Sequence, residues 1–146
     1  MTRYLLFAAA ALSAALCPAL AAAQPGSPIE GNWTNPKRSV TVRIAPCGAE
    51  YCGRVISADA DAKAAAAAGG TARLVGTSLM TALRATGDGT WRGSIFVPDR
   101  NVRAPGELHL LGPRTLEIEG CAVPGLLCKS QQWTRVATTR KTRRHR

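Results

Sequence analysis

The side chains best equipped for chemistry in this chain are its cysteines: Cys47, Cys52, Cys121 and Cys128, with Cys17 set apart near the start. Four thiols allow three pairings into disulfides, and a shared zinc ion is the rival arrangement. Structural zinc usually takes cysteine pairs two to four residues apart, and six residues separate Cys121 from Cys128. Disulfides fit the pattern better, as Cys47–Cys52 and Cys121–Cys128, and oxidised sulfur is no nucleophile. His109 is the one histidine of the chain's body. Glu107 and Glu119, facing each other across a hairpin, could form an acid–base or metal pair, yet a solvated sheet face explains them as well. Among the remaining residues there is no serine in a recognisable nucleophile setting, no glycine-rich phosphate loop and no metal-ligand cluster. The sequence therefore assigns no catalytic residue, no metal and no cofactor, and it does not read as an enzyme. Arg54, beside the first cysteine pair, could meet an anion, but a surface arginine needs no such role.

The compartment follows from the first residues. Arg3, then a run from Leu5 to Leu20 made almost wholly of Ala and Leu, then Ala21-Ala22-Ala23-Gln24, has the form of an export signal cut after Ala23. The run is short for a membrane span and contains Pro18. The expected organisation is a signal peptide over 1–23, a flexible leader over 24–30, one β-domain over 31–137 and a disordered basic tail over 138–146. Export takes Cys17 away, places the chain in the periplasm or outside the cell, and gives the four remaining cysteines an oxidising environment. The formal charge of +10 comes from 19 Lys and Arg against 9 Asp and Glu. Much of it sits in Arg140, Lys141, Arg143, Arg144 and Arg146, so the body is only mildly basic. Export removes such a tail from nucleic acid, leaving an anionic envelope surface as its expected counterpart.

The elements that must position these groups read as strands. Val40, Val42 and Ile44 alternate with Thr41 and Arg43, and Gly53-Arg54-Val55-Ile56 resumes after the Cys47–Cys52 loop. Setting Cys47 opposite Cys52 places Ile44 opposite Val55. Arg103–Leu111 and Thr115–Gly120 form the clearest hairpin, with Leu110 meeting Leu116, Leu108 meeting Ile118, and His109 facing Glu117 on the polar side. Joining Cys121 to Cys128 then sets Trp133 opposite Leu116 and Gln132 opposite Glu117. Leu79–Ala85 and Thr90–Val97 supply two further strands, and Gly31–Thr34 a short first one. The run from Ala60 to Ala68 favours helix, capped by Ser57 or Asp59, but it lacks large apolar residues and is expected to bury little. The fold class is all-β: an eight-stranded antiparallel up-and-down barrel with one short helix or loop insertion at about 59–70.

Gly31-Asn32-Trp33 and Trp133-Thr134-Arg135 resemble the two ends of a lipocalin-like barrel, and the resemblance implies that Arg135 covers Trp33 as a structural pair. With the Cys47–Cys52 hairpin, Leu74-Val75-Gly76 and Trp91-x-Gly93, the chain is similar to a family of small exported bacterial proteins known as domain-of-unknown-function family 2147, from about Gly31 to Val136. Departures are the Ala run, where relatives carry an Asn-rich turn, and Val97-Pro98-Asp99, where they carry Asp-Pro and a later Tyr.

An eight-stranded barrel has room for its own side chains or for one small ligand. Many inward positions here are modest, such as Val40, Gly53 and Gly93. The expected site is thus a cavity beneath the Asp59–Gly70 segment lined by Val42, Val55, Trp91 and Trp133. It would bind an apolar or amphipathic small molecule without turnover. The alternative is a cell-envelope interaction or structural protein with a filled barrel and no ligand.

Overall fold

The computed structural model describes residues 26–123 and 126–138. The signal segment and the basic tail expected from the sequence lie outside the described residues. Eight strands appear in order: β1 (Gly31–Thr34), β2 (Val40–Cys47), β3 (Glu50–Ala58), β4 (Ser78–Gly87), β5 (Thr90–Val97), β6 (Val102–Gly112), β7 (Thr115–Val123) and β8 (Leu127–Val136). Each pairs antiparallel with the next and β8 closes on β1, giving the up-and-down barrel that the alternation demands. Among the described residues one helix, α1 (Ala60–Ala68), crosses between β3 and β4. The topology gives the barrel two unlike ends. The tight turns β2–β3, β4–β5 and β6–β7 gather at one, with Gly26–Glu30 leading into β1. The β1–β2 loop, α1, the β5–β6 turn and the β7–β8 connection share the other, called here the helix end.

The later hairpins adopt the registers their apolar faces require. Leu108 opposes Ile118, Leu110 opposes Leu116 and His109 opposes Glu117; Leu116 opposes Trp133 and Cys121 opposes Cys128. The first hairpin departs from expectation by two residues. Cys47 faces Glu50, Ile44 faces Gly53 and Val42 faces Val55. The reason is a two-residue turn, Gly48-Ala49, tighter than a loop closed by opposed cysteines, with Gly48 at φ +69° in the left-handed region that glycine tolerates. The Cys47–Cys52 bridge then runs diagonally with its Cα atoms 5.8 Å apart, an ordinary span for a disulfide. A two-residue slip keeps every side chain on its own face, so the inner set survives the correction.

The Ala run does more than the sequence suggests. Asp59 accepts a hydrogen bond from the Ala62 amide at 2.8 Å and starts a nine-residue helix that Gly69 ends. With only methyl groups on its flank, the helix approaches closely enough to bury Ala66 in the core. A Cβ on Gly69 would collide with the Pro98 and Asp99 backbone, so the helix end sits directly against the β5–β6 turn. Small side chains here serve close approach in place of bulk.

Candidate functional site

Val42, Val55, Trp91 and Trp133 all point into the barrel and share one buried cluster with Trp33, Ile44, Met80, Leu83, Leu108 and Leu116. All four are buried, and the glycines on the inner face show where neighbouring side chains go. Gly53 is filled from β4: a Cβ there would lie 2.8 Å from Met80 Sδ. At Gly93 it would lie 2.8 Å from Leu83 Cδ2 and 2.5 Å from the Thr81 carbonyl. At Gly106 it would overlap Ile95 Cγ1 and lie 2.6 Å from the Glu119 carbonyl. Gly53, Gly93 and Gly106 are thus each the seat of a neighbour, whereas at Gly120, opposite Gly106, a Cβ would meet only Ile95 Cβ at 3.9 Å. Met80, Leu83, Leu108 and Leu116 are accordingly buried to within 2 % of full occlusion. Two open hollows lie on the outside of the barrel. One, of about 300 Å³, is a groove beside α1 lined by Lys63, Ala72, Arg73, Leu74 and Val75. The other, of about 310 Å³, lies between β6 and the β7–β8 hairpin, with Pro105, Gly106, Glu119 and the Cys121–Cys128 bridge on its walls.

The turn end is shut by a second arrangement. Trp33 is fully buried and its indole Nε1 donates to the Ile29 carbonyl at 2.8 Å. The Arg135 guanidinium lies 4.3 Å from the Trp33 ring centroid. Its Nη1 and Nη2 donate to the carbonyls of Glu30 and Pro28, each at 2.6 Å, and its Nε to that of Pro113 at 2.9 Å. One planar fork thus ties the leader, the β6–β7 turn and β8 together, which a point-charge lysine could not do. Gly31 has φ +136°, and a Cβ there would come within 2.6 Å of Arg135 Nη1. The Gly-x-Trp spacing exists because the arginine passes through the space where the first residue's side chain would be.

Charged side chains pair at several points across the outer wall over β3–β6. Arg84 Nε donates to Glu50 at 2.7 Å and Arg92 Nε to Glu107 at 2.6 Å. His109 Nε2 is 3.3 Å from the other Glu107 oxygen, and its Nδ1 is 3.1 Å from Thr90 Oγ1. Glu107 stands opposite Glu119 in the ladder, as expected, with its carboxylate engaged by Arg92 and His109. Arg54 stands opposite Arg43 on the outer face, with both side chains exposed. Glu119, Cys121 and Cys128 offer ligand atoms within 4.8 Å of one another, but the two sulfurs are bonded to each other, and one carboxylate remains.

What sequence reasoning missed is an arm. Ladder pairing between β6 and β7 ends at Gly106–Gly120, and the next β6 residue is Pro105, which has no N–H to donate. On the other side β8 pairs with β1 only over Thr134–Val136. Beyond those points β7 and β8 pair with each other alone among the described residues, stapled by Cys121–Cys128 with Cα atoms 4.0 Å apart. Leu127 through Gln132 are all exposed. At the tip, Leu126 and Leu127 keep 79 % and 65 % of their surface in water and Val123 keeps 42 %. The signal was present in the sequence as Pro105 and the four-residue β1, which together leave a ten-residue β8 longer than its partner.

Comparison with known proteins places this geometry. The profile of the family described as "Uncharacterized protein conserved in bacteria (DUF2147)" matches residues 31–135, and the chain belongs to that family. A search of curated proteins finds no match. Among solved structures, the chain is similar in fold to protein HP1028 from Helicobacter pylori, described as belonging to the lipocalin family. The TM-score is 0.56 at 14 % identity, over 75 % of this chain and 83 % of that one.

Proposed function

We propose that this member of the DUF2147 family is an exported, periplasmic interaction module of the cell envelope, a barrel that works through its outside. The observation that supports the reading is the seating of Met80, Leu83 and Ile95 over Gly53, Gly93 and Gly106, where the protein's own side chains take up the space the small residues leave. Two surface disulfides suit an oxidising compartment, and the Ala- and Leu-rich start supplies the address. No part of the chemistry needs turnover: the one body histidine is engaged by Glu107 and Thr90, and the cysteines are bridged.

A second reading, an apolar or amphipathic small-molecule binder, draws support from the lipocalin-like fold and from the groove beside α1. Lys63 and Arg73 flank Leu74 and Val75 there, a lining suited to a small anionic amphiphile. Native mass spectrometry of the disulfide-intact protein from the exported fraction separates the two. The interaction reading expects the mass of the bare chain and no saturable displacement of a hydrophobic dye. A stoichiometric co-purifying molecule whose binding is abolished by Val55→Trp would place a ligand in the barrel and end it.

A further inference from the structure

We infer that the helix end of the barrel, led by the stapled β7–β8 arm, docks on an anionic lipid surface. The inference rests on the interaction reading above and gives it a partner. Of eight large apolar side chains exposed among the described residues, seven (Ile56, Val75, Val97, Val102, Val123, Leu126 and Leu127) lie towards the helix end, and only Leu111 lies at the other. Scattered singly they would mean nothing. Here they crown neighbouring connections: the approach to β4, the β5–β6 turn and the arm tip.

Charge divides the same way. Exposed Lys37, Arg38, Lys63, Arg73, Arg100, Arg103 and Lys129 occupy this end against Asp59, Asp61 and Asp99. None of these seven cations is in an ion pair among the described residues, where the ion pairs are Arg84–Glu50, Arg92–Glu107 and His109–Glu107. At the opposite end Arg84 is neutralised by Glu50, Arg135 is engaged by carbonyls, and exposed Arg114 is matched in number by exposed Asp88.

Apolar protrusions ringed by unpaired cations match the two halves of an anionic bilayer interface. The Leu and Val side chains enter the headgroup–acyl boundary while Lys and Arg remain level with the phosphates. A folded protein partner would need one continuous complementary surface. The apolar groups here are instead on separate connections, with the groove of Lys63 and Arg73 on one side and the arm on the other, a pattern that a fluid surface accommodates. The Cys121–Cys128 bridge and the β7–β8 ladder set Leu127 beside Val123 at the end of the arm without pairing to any other strand.

The test is flotation of the disulfide-intact chain, with and without Arg140–Arg146, on phosphatidylcholine vesicles containing or lacking phosphatidylglycerol. Binding should require the anionic lipid, weaken as salt rises and persist without the tail. Leu126→Ser with Leu127→Ser should weaken it roughly tenfold or more, and Lys129→Gln roughly fivefold. Both variants should keep the parent unfolding midpoint, since these side chains touch solvent. In a Leu126→Trp variant, fluorescence should be quenched by brominated acyl chains, while the buried Trp33, Trp91 and Trp133 of the parent should not be. An unquenched Leu126→Trp variant, or a double leucine variant that binds like the parent, overturns the assignment. Capture of a protein on the arm with no vesicle binding also overturns it, yet leaves the interaction reading standing. A ligand found inside the barrel would strike the interaction reading and leave vesicle binding to be judged on its own.

Discussion

The filled interior can be tested at one atom. Gly106→Ala adds a methyl group that meets Ile95 Cγ1 and, at 2.6 Å, the Glu119 carbonyl. The first neighbour is β-branched and stiff; the second is backbone of the adjoining strand, so neither can swing aside. Over-packing of this kind costs about 1–3 kcal/mol. Against it, replacing glycine restricts the unfolded chain and returns about 0.4–1 kcal/mol. The net expectation is a loss of about 1–2 kcal/mol, on the order of 5–15 °C in melting temperature for a domain near this size. Gly112→Ala on the same strand is the control. A Cβ at Gly112 meets nothing within 4 Å, so only the unfolded-chain effect remains and stability should hold or rise slightly. Urea unfolding with the bridges intact reads both through the midpoint at constant slope. Adding Ile95→Ala should relieve part of the clash, making the double variant more stable than the sum of its parts by about 0.5–1 kcal/mol. If Gly106→Ala behaves like Gly112→Ala, the barrel has slack beside Ile95. The argument for a self-filled core then fails, and an enclosed ligand becomes the better reading.

Other consequences follow from single contacts. Arg135→Ala should destabilise by about 2–4 kcal/mol through loss of a charged hydrogen-bonding fork and a cation–π contact. Arg135→Lys should recover little of that in thermal melts, and a full recovery would show that charge alone matters. Gly31→Ala should cost about as much as a core over-packing, 1–3 kcal/mol, because it meets the same guanidinium at a positive φ. Replacing Cys47 and Cys52 by Ser should cost about 2–2.5 kcal/mol in the chain-entropy view. The same change at Cys121 and Cys128 should chiefly raise amide exchange over 121–132 while the barrel midpoint moves less, since that arm is not shared with other strands; equal protection in both forms would refute its independence.

The barrel was legible because alternation is a local signal that topology cannot easily override. Leu108, Leu110, Leu116, Ile118 and Trp133 leave one register open, since a slip by one would bury Glu117 and His109. The first hairpin was mislaid by two residues for the complementary reason: a two-residue slip leaves the faces unchanged, and the choice fell to turn chemistry at Gly48, which the cysteine spacing obscured. Counting residue volumes one at a time does not measure the space inside the barrel. Gly53, Gly93 and Gly106 look like missing bulk in a list, yet register sets each beside a Met, Leu or Ile whose length is spent sideways. Volume is therefore a property of neighbours across the ladder and not of a strand, and only pairing reveals it. The arm was overlooked for a related reason. The two exposed leucines at its tip look like an ordinary hairpin connection until β1 is seen to stop at Thr34 and β6 to part from β7 at Pro105. From that point the strands that close the barrel at one end have only each other as partners at the other. The chain keeps that edge short, staples it through Cys121–Cys128 and ends it in exposed leucines close in sequence to Lys129, as the proposed contact surface would require and a spare strand would not.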